Sequence, residues 1–287
     1  FKTMAQAVTW TLVSNAPAGV ATVAVGGKNT WILLQNGTVW RQQLGQWQNV
    51  PGLCVCLDSG VDGTTYSVDA QGSLFLFNGT NWQKIPCPHL FSQISVGSAN
   101  HIVGVDKLGN ILKLQAGVWA AVPGQAVHVS VGSDGDLWCI DRGHAIYQWD
   151  PRSNLWQKKI GSCMQLSVGY SGRVICVSHD QKIFSWSGMD WSMKQGSLVK
   201  AASVASNGNV FAVNNNGTLM KCTNFWSRAV VGNTGQSVEN VIHASTKGAL
   251  KGIGKLGKLI HKKNDRYVPP PKPVQNPPPQ QQQHVVV

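Results

Sequence analysis

Short apolar runs in which polar positions alternate, each closed by Gly, Asn or Asp, follow one another from about residue 20 to residue 232, and no window there carries a sustained helical stripe. The fourth unit shows the order. Val127 to Val131 alternates, Gly132 to Asp136 turns, Leu137 to Ile140 is apolar, Asp141 to His144 turns, Ala145 to Trp149 alternates, and Trp156 opens a last short run. This pattern predicts four strands and three turns. Asn36-Gly37, Gln71-Gly72, Gly109-Asn110 and Asn216-Gly217 fall at the same hairpin of four units, where a positive backbone φ is needed.

The unit is copied. Trp10, Trp47, Trp82, Trp119, Trp156, Trp191 and Trp226 recur at intervals of 37, 35, 37, 37, 35 and 35 residues. Out of phase with them stand Val25-Gly26, Ser59-Gly60, Val96-Gly97, Val131-Gly132, Val168-Gly169 and Val204-Ala205. Four short antiparallel strands in a repeat of roughly 36 residues make a propeller blade, and six copies give an all-β, six-bladed β-propeller over residues 1–232. Seven Trp strands for six inner strands leave one in surplus. Either Val8 to Val13 completes the last blade beside 197–222, or Trp226 does.

The text of the repeat also carries a resemblance. An alternating strand ending in Val-x-Val-Gly leads to an aromatic-containing strand such as Leu137-Trp138-Cys139-Ile140 or Val210-Phe211-Ala212-Val213. Gly37-Thr38-Val39-Trp40-Arg41 and the Trp-x-x-Val-x-Gly run of Trp47 to Gly52 complete it. This resembles the tectonin repeat, the family of tachylectin-1 and the fish-egg lectins, over about residues 8–232. Ser59 and Ala205 depart from the usual Val or Gly. The resemblance implies a lectin for microbial or egg-surface glycans, including lipopolysaccharide and N-acetylglucosamine-bearing sugars, as in innate immunity.

Composition narrows the chemistry. The net charge of +12 is shared equally between residues 1–232 and the last 55, so the tail is the denser in charge, and the one glutamate, Glu239, lies in that tail. The histidines are dispersed, the cysteines form no two-plus-two metal pattern, and no Gly-rich strand-to-helix loop is present to hold phosphates. The expectation is a non-enzyme with no catalytic residue, metal or cofactor. Seven cysteines are compatible with a disulfide set plus one free thiol, or with buried free thiols. The chain opens at Phe1 with Met only at position 4, which suits a secreted protein whose signal peptide has been removed. Asn36, Asn78 and Asn216 stand in Asn-Gly-Thr sequons that turn geometry also explains.

Five tryptophans lie outside the periodic series. Trp31 and Trp138 share an inner-strand position with Tyr66 and Phe211 and are expected between blades. Trp40, Trp149 and Trp186 lie on or at the end of the third strand, near loops, where an indole can serve as a platform for a sugar ring. Arg41, beside Trp40, can add a charge-assisted bond to an acidic sugar or phosphate. Trp40, Arg41, Trp149 and Trp186 are therefore the candidate ligand-binding residues. The alternative is a structural or assembly protein whose propeller binds protein partners or further copies of the chain.

After residue 232 the period changes. In 233–266 the apolar Val241, Ile242, Leu250, Ile253, Leu256, Leu259 and Ile260 fall on one half of a helical wheel. Lys247, Lys251, Lys255, Lys258 and Lys262 fall in an arc opposite. Such a segment suits an anionic membrane surface, or a helix docked on the propeller; a nucleic-acid partner is not expected, since no aromatic residue is interleaved for stacking. Residues 267–287, rich in Pro and Gln, read as an extended disordered tail.

Overall fold

A computed structural model of the chain describes residues 6–196 and 198–226. The basic segment with Lys247, Lys251, Lys255, Lys258 and Lys262 and the Pro/Gln-rich tail lie outside the described residues. Among the described residues every regular element is a strand. β1 (Gln6–Ala7) and β2 (Trp10–Leu12) precede six hairpin-connected groups. Blade 1 is β3 (Val20–Gly26), β4 (Asn29–Leu34), β5 (Thr38–Gln43) and β6 (Gln46–Leu53). Blade 2 is β7 (Cys56–Ser59), β8 (Thr65–Val68), β9 (Leu74–Phe77) and β10 (Trp82–Lys84). Blade 3 follows with β11 (Phe91–Ser98), β12 (His101–Asp106), β13 (Asn110–Gln115) and β14 (Val118–Gln125). Blade 4 is β15 (His128–Val131), β16 (Leu137–Ile140), β17 (Ala145–Asp150) and β18 (Leu155–Ser162). β19 (Gln165–Val168), β20 (Val174–Val177), β21 (Ile183–Trp186) and β22 (Trp191–Gln195) form blade 5. Blade 6 takes β23 (Val199–Val204), β24 (Val210–Asn214) and β25 (Leu219–Cys222).

The count of strands now closes. β2 pairs antiparallel with β25, Trp10 opposite Cys222, and completes blade 6, while β1 runs parallel along the outer edge of blade 5. Trp226 packs beside the same cluster without being a strand. The fold is a six-bladed β-propeller, its inner strands β3, β7, β11, β15, β19 and β23 each touching the next and β23 returning to β3.

The two periodic signals have two packing causes. At the end of each inner strand, neighbouring blades converge on the axis, so a Cβ on Gly26 would run into the Gly60 carbonyl, one on Gly97 into the Gly132 carbonyl, and one on Gly132 into the Gly169 carbonyl. The Val-Gly series is the mark of that approach. At the rim, periodic indoles span to the preceding blade: Trp156 donates from Nε1 to the Pro123 carbonyl at 2.6 Å, and Trp191 to the Ile160 carbonyl at 2.9 Å. The neighbouring glycine gives the ring its seat. A Cβ on Gly124 would lie 3.3 Å from Trp156, and one on Gly161 3.5 Å from Trp191. The turn glycines Gly37, Gly72, Gly109 and Gly217 all have positive φ, as the hairpin signal requires; His144 and Gln181 hold that conformation in blades 4 and 5.

Between axis and rim, side chains on the inner strands lace each blade to the next. Ser95, Ser130 and Ser167 accept on Oγ from the backbone N–H of Val131, Val168 and Val204. One step along the strands, the Gln93 amide makes paired bonds with Val129, the Gln165 amide with Ala202, and His128 Nε2 bonds the Leu166 carbonyl. In blade 1 the corresponding residue is Ala24, which has no acceptor to offer. Asp58 compensates. Its carboxylate accepts from Ser59 N–H on one oxygen and from Val96 N–H and Ser95 Oγ on the other. Burial weakens it as an acid and pushes its pKa up to about 6. All seven cysteines are free thiols, the unbridged alternative of the two that the composition allowed.

Candidate binding site

The aromatic position expected on an inner strand falls on the second strand of its blade, and it packs between blades as expected: Trp31 and Trp138 are 1% and 0% exposed, and Tyr66 and Phe211 are buried. The third-strand indoles take a different place. Trp149 lies directly across from Trp156 on the neighbouring strand, and Trp186 across from Trp191, with ring centroids 5.1 and 5.0 Å apart. Phe77 and Trp82 repeat the arrangement in blade 2. A strand with aromatic residues at facing positions gains a cross-strand pair, and here each pair lies against the preceding blade.

The four candidate residues are not brought together. Trp40 is half-buried with Trp47 against Phe211 and Val20, between blades 6 and 1. Arg41 lies on the other face of β5, its guanidinium 5.6 Å from the Trp31 ring and 5.1 Å from Phe77. Trp186 packs with Trp138 between blades 4 and 5, and Lys159 Nζ stands 5.9 Å from its ring. Of the four, Trp149 lines an open cleft. That cleft, of about 480 Å³, is bounded by Asp134, Gly135 and Asp136 from the β15–β16 hairpin, Gln148 to Pro151 at the end of β17, and Gln157 on β18.

The cleft is polar around one aromatic wall. Asp136 accepts from Trp138 Nε1 at 2.9 Å and from Gln148 Nε2 at 2.8 Å. Asp134 accepts from Ser171 N–H at 2.9 Å and so ties the hairpin to blade 5. Asp150 is held by Arg152 N–H and Ser153 Oγ, which hold its pKa below the usual carboxylate range. Each carboxylate oxygen retains a lone pair for a hydroxyl donor. An indole flanked by fixed acceptors can hold the apolar face of a sugar and orient its hydroxyls.

A second cleft opens on blade 1 at the corresponding hairpin. It measures about 450 Å³ and is bounded by Gly27, Lys28, Asn29, Gln43 and Leu44 with Val61, Asp62 and Gly63 of blade 2. The sequence pointed at Trp149 but gave no sign of the hairpin residues beside it. Asp134 and Asp136 read as turn formers, and only their side-chain bonds show that they also shape a cleft.

The family model described as the tectonin domain matches residues 19–118 and 90–190. The chain belongs to the tectonin family. Two curated tectonins of Physarum polycephalum share one or two repeats' length with it: Tectonin-2 is 39% identical over 62 residues, 21% of this chain and 18% of that protein, and Tectonin-1 is 38% identical over 64 residues, 22% and 30% respectively. The matched stretch thus spans less than a third of either relative. Among solved structures, the WD40 β-propeller domain of Doa1 superposes with a TM-score of 0.53 at 13% identity, covering 75% of this chain and 97% of that one. At that identity the likeness bears on the fold alone. The tectonin repeat thereby accounts for the blade text, the periodic indoles and the Val-Gly ends.

Proposed function

We propose that this tectonin-family propeller is a secreted lectin that binds microbial or extracellular glycans through shallow clefts on its blades. The observation that carries this reading is Trp149 in the open cleft of blade 4, flanked by the Asp134, Asp136 and Asp150 carboxylates and the Gln148 and Gln157 amides. Fixed acceptors beside an indole suit the hydroxyls of a neutral or amino sugar, such as an N-acetylglucosamine-type residue. Weak clefts on several blades gain avidity on a patterned surface such as lipopolysaccharide without any new contact. The basic segment 233–266 supplies a second, electrostatic attachment to anionic surfaces, each lysine contributing about 1 kcal/mol.

A glycan array competed with free sugar tests this reading. Competable binding that Trp149→Ala weakens at least ~10-fold, as loss of one stacking contact of about 1.4 kcal/mol implies, supports it. Binding to a protein partner alone, indifferent to sugar, would instead establish the interaction-platform alternative. For the tail, a peptide of residues 238–266 should bind anionic vesicles, with affinity that falls as salt rises. No binding at low salt rejects the attachment role.

A further inference from the structure

Blades 1 and 4, opposite one another in the ring, carry the same aromatic construction. In blade 4, Trp138 lies across from Gln148 and packs on Trp186 and Trp191; in blade 1, Trp31 lies across from Arg41 and packs on Phe77 and Trp82. The two differ at the residue that finishes the cluster. Two positions before the indole, blade 4 has Asp136, whose carboxylate takes the Trp138 Nε1–H on one oxygen and Gln148 Nε2 on the other. Blade 1 has Asn29 there. Trp31 Nε1 and Arg41 Nε are both buried and, among the described residues, neither has a hydrogen-bond partner.

Two buried donors on one face, one of them cationic, are left where the other blade supplies a carboxylate. A buried donor without a partner retains the desolvation cost that a bond would offset, so the place favours an acceptor from outside. Asn29 borders the blade 1 cleft, and Lys28 beside it adds a positive charge. The one acidic side chain bordering that cleft, Asp62, is already engaged with Thr64 N–H at 3.0 Å and Ala99 N–H at 2.7 Å. Arg41 is held in place by its stacking on Trp31 and Phe77 and by a long contact from Nη1 to the Gly79 carbonyl at 3.5 Å.

Asn29 and Gln43, which border the cleft, stand two positions along the same two strands from Trp31 and Arg41 and on the same face, so the two donors lie behind the cleft wall. We propose that this wall opens onto a carboxylate site: as the Asn29 side chain turns aside, a sugar acid of the uronic type entering through the cleft presents its carboxylate to Trp31 Nε1–H and Arg41 Nε–H, in the place that Asp136 fills in blade 4. The pocket is distinct from the Trp149 cleft and does not depend on it. It divides the ring into a side for hydroxyl-rich neutral rings and a side for acidic ones.

The indole N–H resonances give a local readout. With Trp31 and Trp138 assigned through Trp31→Phe and Trp138→Phe, the full chain is titrated at low salt with sodium glucuronate, glucose and sodium acetate. Glucuronate should shift the Trp31 N–H downfield in a saturable way and leave Trp138 in place. Asn29→Asp, which rebuilds the blade 4 arrangement, should hold Trp31 at the shifted position without ligand and weaken glucuronate binding by ~10-fold or more, since an internal carboxylate now occupies and repels. Arg41→Lys keeps the charge and most of the stem but loses the Nε donor, and should weaken binding while the melting temperature holds. Tighter binding of glucuronate than acetate assigns a sugar acid, and equal binding assigns the pocket to carboxylates at large. A Trp31 resonance that no carboxylate moves, an equal response to glucose, or wild-type affinity in Asn29→Asp overturns the proposal. Neutral-sugar loss in Trp149→Ala concerns blade 4 and leaves this outcome untouched.

Discussion

Blade 1 and blade 4 start from nearly the same strand plan and end with opposite polar characters. Each sets a fully buried indole on its second strand, faces it with a long polar side chain on the third, and receives two aromatic rings from the next blade. In blade 4 the hairpin returns a carboxylate to the cluster and closes its hydrogen bonds internally. In blade 1 the hairpin is one residue shorter between the Val-Gly end and the indole, carries Lys28, and returns an amide that makes no bond to the indole. The repeat fixes where rings pack, while the hairpin residue two positions before the ring decides whether a blade is self-contained or open to an acceptor.

The largest effect that could break this comparison is loss of either ring. Trp31→Ala and Trp138→Ala should each cost about 3–5 kcal/mol in urea unfolding, because both leave large cavities between blades. A cost below about 1 kcal/mol for either would show that the two clusters are not equivalent pieces of core. Trp→Phe sharpens the contrast. Both changes shrink a buried ring and carry that cavity cost, but Trp31→Phe also removes an unpaired N–H, whereas Trp138→Phe leaves Asp136 short of a donor and should cost about 1–3 kcal/mol more than Trp31→Phe. Equal costs would mean that the Trp31 N–H is not a burden.

A smaller effect follows from the hairpin itself. Asp136→Ala should destabilise by about 1–3 kcal/mol by stranding two donors, while Asn29→Ala should stay within about 0.5 kcal/mol. Both can be read from denaturant midpoints at constant slope. The smallest effect concerns Asp58, whose pKa burial raises to about 6. In the window from the ordinary carboxylate value up to about 6 the folded state holds the proton more firmly than the unfolded chain, so stability should fall as pH rises through it. Because Asp58 also faces the axial channel beside His128 and Lys200, we expect a loss of about 1 kcal/mol rather than the full shift. Asp58→Asn should flatten the melting temperature between pH 4 and roughly pH 7, and a slope unchanged by that variant would assign the effect elsewhere.

The fold was legible because its two periods each mark a steric demand. Trp156 needs a glycine seat on the preceding blade, and Gly97 needs to meet a neighbouring carbonyl, so neither could drift without breaking an interface. The surplus strand was not legible, since Trp10 and Trp226 read alike until Trp10 is seen paired with Cys222. The candidate site was legible only in part. Trp149 and Trp186 looked alike as third-strand indoles, yet one borders a cleft and the other is packed under Lys159 against Trp138, a difference set by what the neighbouring blade contributes. Gln93, Ser95, His128 and Ser167 occupy polar positions of their strands, and their bonds to the next blade depend on an angle between sheets that no local pattern encodes.

The pairing of β2 with β25 also sets an order of events. Trp10 to Leu12 leave the ribosome some two hundred residues before Leu219 to Cys222, so at a synthesis rate of roughly 5–20 residues per second they wait about 10–40 s for their partner. During that wait five blades can form in sequence while β2 has no partner strand and its edge stays open. The ring is therefore clasped last by the part of it that was made first, and a nascent chain stalled before Leu219 would present that unpaired edge to whatever strand came near.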